Sequence, residues 1–246
     1  MYVADVRWRH RLRARDERGF TLIELLVAML AGTVVAGATL AILIVSMHLT
    51  SNYTDRVDAN QQGRIAMERI TQALNSSCIS PAVTPVLAGS TANSLSFYSS
   101  QGLAQPDAPL ITPNQITITM SGTASTAGSL VMTTQPQTGV TNNWTASGSS
   151  TDFTLLQWAA WSRSQTGIFQ YFGYASDDTP TLALTPGTGG LTSAQAAQVV
   201  MVTIGYQALP SDNWNATGRP ADFTNSVVLR LTPASSAASA SNSPCA

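Results

Sequence analysis

Arg18-Gly19-Phe20-Thr21-Leu22-Ile23-Glu24, continued over Leu25–Leu49 as LLVAMLAGTVVAGATLAILIVSMHL, is the stretch whose reading decides the fold. No residue of Leu25–Leu49 carries a formal charge at neutral pH. A bilayer core about 30 Å thick is crossed by roughly 20 helical residues, so the run is long enough to span. Gly32 and Gly37 do not interrupt it, because a helix in lipid has nothing else to hydrogen-bond with. Six of the 12 arginines (Arg7, Arg9, Arg11, Arg13, Arg15 and Arg18) precede Gly19, offset by Asp5, Asp16 and Glu17. The positive-inside rule then keeps residues 1–19 cytoplasmic and sends the rest outward. A cleaved secretory signal would have a shorter apolar core and a small-x-small cleavage site. A simple signal anchor accounts for the span and the arginines, but not for the residues at the junction.

Those residues, RGFTLIELLVAM, resemble the prepilin cleavage and N-methylation motif of type IV pilins and type II secretion pseudopilins. The resemblance implies that a prepilin peptidase cuts after Gly19, on the cytoplasmic side, and methylates Phe20. Glu24 then becomes the fifth residue of the mature chain. A carboxylate at the edge of an apolar helix is costly unless paired. The family partner of Glu24 is the N-terminal amine of a neighbouring subunit. That attraction is strong at low dielectric but must offset the desolvation of both groups, so it sets axial register as much as it adds stability.

Beyond the span the helix is expected to continue. Gly63, Ala66, Met67, Ile70, Ala73 and Leu74 recur at three- and four-residue steps, with Asp55, Arg56, Asp58, Arg64, Glu68 and Arg69 largely off that stripe. Asn75-Ser76-Ser77 is the expected stop, with Pro81 shortly after. After Pro81 the period changes to two. Strands are expected at 94–98, 115–120, 129–133, 153–160, 168–174, 199–207 and 226–232. Gly122 and Gly128 bracket a turn that makes the second and third a hairpin, and 191–198 is a candidate short helix capped by Thr192 with Gln195. The expected fold class is α+β and pilin-like: a long N-terminal helix, transmembrane in its first half, packed on an antiparallel β-sheet head. The domains follow as a cleaved leader at 1–19, a transmembrane and filament-core helix at 20–50, its amphipathic continuation at 51–78 and an exported β-rich head at 79–246.

Composition removes several function classes. After a cut at Gly19 the rest keeps six Arg against ten acids. A mildly acidic head has no basic patch for phosphates, so no nucleic-acid partner is expected. The two histidines are His10, in the leader, and His48, in the apolar helix, where packing or interfacial placement is expected. A head without histidine has no Ser-His-Asp, Cys-His or His-ligated metal chemistry. No nucleotide-binding glycine motif occurs. No enzyme, cofactor or metal is therefore expected. Asp177 and Asp178 read as a β-turn rather than a cation site. The aromatics Trp158, Trp161, Phe169, Tyr171, Phe172 and Tyr174 read as core and cross-strand packing on adjacent strands. Cys78 and Cys245 are too sparse for a zinc site. A disulfide in an oxidising compartment is the expectation, two unrelated free thiols the alternative.

The functional expectation is a structural, minor subunit of a type IV pilus or type II secretion pseudopilus. The head also resembles W-type minor pilins and J-type pseudopilins, in QQGRIAMERITQALNSSCIS and in GIFQYFGY with VVMVTIGYQ. The implied partners are prepilin peptidase, other pilin or pseudopilin subunits, an inner-membrane assembly platform and membrane lipid. The implied location is the cell membrane before assembly and the filament after it. A tip adhesin or DNA-uptake (competence) pilin is the alternative, and a basic, aromatic-lined face would be its mark.

Overall fold

A computed structural model describes residues 19–78, 83–100, 112–123, 126–140, 143–162, 165–176, 179–210 and 220–229. The chain divides after Thr50 into two compact units. One helix, α1 (Leu22–Asn75, 54 residues), begins in the first and ends in the second. In the first unit every helical residue is exposed. Leu22, Ile23, Leu30, Ile42 and Met47 are each at least 65 % accessible, so the apolar run has no cover among the described residues.

In the second unit α1 has two sides. Ala59, Gly63, Ala66, Met67, Ile70, Ala73 and Leu74 are buried, the expected stripe with Ala59 added. Asp55, Arg56, Asp58, Arg64, Glu68 and Arg69 are all exposed. Helix ends leave carbonyls to satisfy, and here Ser76 returns its N–H to Gln72 O at 3.2 Å and its hydroxyl to Ala73 O at 2.7 Å. The helix stops where the small polar run begins.

Nine strands follow among the described residues: β1 (Ser94–Ser99), β2 (Asn114–Met120), β3 (Gly128–Val140), β4 (Asn143–Ala146), β5 (Thr151–Trp161), β6 (Phe169–Gly173), β7 (Leu182–Leu184), β8 (Met201–Ala208) and β9 (Ala221–Val228), with α2 (Ser193–Gln198) before β8. All pairings among them are antiparallel. β2 and β3 form the expected hairpin. Thr192 and Gln195 form the capping box of α2, the hydroxyl accepting from Gln195 N and the Gln195 amide oxygen accepting from Thr192 N. β9 pairs with β8 along its whole length. β5 meets Tyr206–Ala208 and β6 meets Met201–Ile204, so both take the other edge of β8. β5 and β6 are thus one line of strand interrupted between Trp161 and Phe169. The two groups of aromatics therefore lie end to end, which corrects the expectation of adjacent strands. Phe169 and Tyr171 are buried, while Trp161 packs against the core from its margin.

α1 and the sheet share one core, holding Ile70 and Leu74 with Leu95, Phe97, Ile118, Leu130, Val202, Ile204 and Tyr206. The approach is close at Gly63. An added Cβ there would run into the Phe223 ring, and the Tyr206 hydroxyl donates to Gly63 O at 2.7 Å. Further along, Asn225 Nδ2 donates to Thr71 Oγ1 at 3.1 Å. Three boundaries depart from expectation. β3 runs on to Val140 and pairs there with β4, β7 adds a three-residue edge, and β9 starts at Ala221. Residues 230–232 of the expected last strand lie outside the described residues.

Candidate processing and assembly site

The junction is built around Thr21. Its carbonyl accepts from Glu24 N at 3.0 Å and Leu25 N at 3.2 Å, and its Oγ1 accepts from Glu24 N at 3.4 Å. This is N-cap geometry. Thr-x-x-Glu is also the sequence signature of a capping box, a signal the sequence reading passed over. Glu24 falls in the first turn, where unpaired backbone N–H groups make a favourable end for an anion. It is the only formally charged side chain between Gly19 and Thr50. Glu24 shares an open, mostly apolar surface with Thr21, Ile23, Val27, Ala28 and Ala31.

Gly19 and Phe20 stand clear of this turn. A Cβ on Gly19 would meet nothing within 4 Å, so packing does not call for glycine there. Phe20 is 81 % exposed. A small residue and a bare aromatic, both free of the fold, leave the Gly19–Phe20 bond open to an external catalyst. Gly19 and Phe20 directly precede the turn that holds Glu24, and residues 19–50 supply Glu24 with no side-chain counter-charge.

The remaining expected site residues lie elsewhere. Cys78 is buried just past the end of α1, and its N–H donates to Tyr98 O at 2.7 Å. Cys245, Asp177 and Asp178 lie outside the described residues. His48 is exposed on α1. Among the described residues no three His, Cys, Asp or Glu side chains gather as metal ligands. An open trough follows the flank of α1, where Arg69 sits 4.3 Å over the Phe153 ring and Gln62, Ile65 and Leu155 are among the other lining residues.

Residues 14–40 match the family model described as the prokaryotic N-terminal methylation motif. No curated protein and no solved structure matches the chain. The matched segment holds the Gly19–Phe20 junction, Glu24 and the start of α1, and it is the type IV prepilin-like signal. With a long N-terminal helix followed by an antiparallel sheet, the architecture is α+β and pilin-like. The motif and the uncovered apolar helix together fit a single-pass membrane pilin or pseudopilin.

Proposed function

We propose that this chain is a minor, non-enzymatic subunit of a type IV pilus or type II secretion pseudopilus. It is cut between Gly19 and Phe20 by prepilin peptidase, methylated at Phe20 and held in the inner membrane with its head exported. From there an assembly platform passes it into a filament of other pilin or pseudopilin subunits. The observation that carries the reading is Glu24. It is a lone carboxylate in the first turn of a bilayer-length helix whose apolar sides are all uncovered. Such a group needs a cationic partner from outside residues 19–50, and the amine freed at Phe20 of a neighbouring subunit is one. We also take Cys78 and Cys245 to be joined, tying the end of the head to the end of α1. The burial of Cys78 supports this.

The test is Glu24→Leu in the native host. A plain anchor needs only apolar length and would insert at least as well without the charge. A filament subunit loses one partner of a desolvated pair, a loss of about 3–5 kcal/mol where the pair is buried. Membrane insertion and leader cleavage are expected to persist. Incorporation into sheared filaments, or the linked secretion, is expected to fall at least about tenfold. Wild-type incorporation would leave anchoring as the better account.

A further inference from the structure

β5 meets β8 only at its end. Its ladder to β3 is regular over residues 151–154, but Val131 faces Thr154 while Leu130 faces Leu156, so Leu155 is an extra residue in β5. Gly128 then faces Ala159, which leaves a second extra residue before β5 reaches β8. Bulges of this kind bend a strand and increase its twist. β8 pairs with β5 only at residues 159–161, and beyond them Leu209 N donates to Trp158 O at 3.0 Å. Residues 151–154 therefore have β3 on one edge and, among the described residues, no strand on the other.

That open edge borders the trough beside α1, a hollow of about 380 Å³. Phe153 and Thr154 line it and no residue of β3 does, so it lies on the open side of the strand. Ile65 is 53 % and Phe153 44 % exposed, with Leu155 half-buried beside them. Arg69, stacked on Phe153, also lines a second hollow of about 370 Å³ with Gln72 and Thr134. It is the only formally charged residue in the lining of either hollow. Arg64 is paired with Glu68 at 3.4 Å, whereas Arg69 has no carboxylate partner among the described residues. A guanidinium held by stacking keeps its fork of N–H donors oriented, which suits a carboxylate. All of these residues belong to the second unit.

We propose that this trough receives an extended, acidic segment of a partner protein. The segment adds to the open edge of β5 at residues 151–154 through main-chain hydrogen bonds, and it sets an Asp or Glu carboxylate on Arg69. Its apolar side chains cover Ile65, Phe153 and Leu155. The charge identifies the chemistry of the partner: a lone cation in an otherwise uncharged lining favours an acidic segment and repels a basic one. The open edge identifies its conformation, because unpaired N–H and C=O groups along a regular strand are a template for another strand. A docked helix would cover the apolar side chains but leave that edge unpaired. The contact involves neither Glu24 nor the processing junction, so it is independent of the assembly role proposed above.

Fluorescence anisotropy on the full chain in detergent tests this with a labelled peptide of sequence Thr-Val-Thr-Val-Glu-Val-Thr, blocked at both ends. Saturable binding with a Kd below about 1 mM is expected, weak because the paired stretch is short. Replacing the peptide's Glu by Gln, or Arg69→Gln in the protein, should each weaken binding by about tenfold or more, because a charge-assisted pair is lost. Arg69 is exposed, so the Tm of Arg69→Gln should stay close to wild type. Two further peptides carry N-methyl groups on alternate backbone amides, in the two possible phases. Successive amides of a strand point to opposite edges, so one phase should lose binding and the other keep it. No saturable binding by the wild type up to about 5 mM peptide, above the expected Kd, would overturn the proposal. So would binding that ignores Arg69→Gln or the peptide's Glu, or equal binding of the two N-methyl phases. Sedimentation of the chain alone covers the remaining occupant: self-association that Arg69→Gln abolishes would give the trough to a second copy and would also overturn the proposal.

Discussion

At the scale of single residues, two tyrosines tie the sheet to what packs on it. Tyr206 reaches Gly63 O in α1, and Tyr171 donates to Thr91 O at 2.7 Å. Burial pushes both phenols well above the ordinary value of 10.0, and for Tyr171 a hydrogen bond with Ser90 offsets this only in part. A group whose pKa is raised by folding stabilises fully below its unfolded pKa and loses that contribution as pH climbs through the folded one. Stability of the head is therefore expected to hold up to about pH 10 and then decline. In a Tyr171→Phe, Tyr206→Phe double variant the alkaline decline should be shallower, although neutral-pH stability falls by about 1 kcal/mol per lost hydrogen bond. Thermal melts between pH 7 and 11.5 check it. Equal alkaline slopes in the two proteins would contradict the assignment.

At the scale of elements, the helix was legible because its signal is redundant. The stripe from Gly63 to Leu74 repeats over several turns, and the Asn75-Ser76-Ser77 stop coincides with hydrogen bonds that close the last turn. α2 was legible from one capping pair. The strands missed have local causes. Asn225 occupies an inward position of β9 and breaks the apolar alternation there. It is tolerated because its amide finds Thr71. The second half of β3 carries Pro136 and Gly139, residues that argue against a strand. Its ladder to β5 has ended by Thr134, so the missing N–H of Pro136 leaves no gap on that side. β7 has too few residues to show a period. The two sides of α1 should differ sharply under mutation. Ile70→Ala, at a fully buried position, is expected to cost about 2–5 kcal/mol. Ile65→Ala, 53 % exposed, should stay within about 0.5 kcal/mol. Urea unfolding of the full chain in detergent distinguishes them, and similar losses at both positions would contradict the packing.

At the scale of the whole molecule, the processing junction was more legible than the head. RGFTLIELLVAM is contiguous, so its meaning survives in one dimension. The placing of β5 and β9 on opposite edges of β8 was not legible, because it joins segments far apart in the sequence. The expected Cys78–Cys245 bridge also belongs to this scale. It would close most of the head into one loop, which the loop-entropy model values at roughly 5 kcal/mol. Non-reducing peptide mapping of protein from the cell envelope should recover the two cysteine peptides linked. Two free thiols would refute the bridge.

The central claim is that Gly19–Phe20 is a prepilin processing site, and intact-mass and N-terminal peptide spectrometry of the membrane-extracted protein tests it most directly. The expected result is a chain that starts at Phe20 and carries one extra methyl group, with the leader retained when Gly19 is replaced by a bulky residue. A mature N-terminus in the polar stretch after Leu49 would mean that the apolar run is an ordinary signal sequence, and would contradict the account.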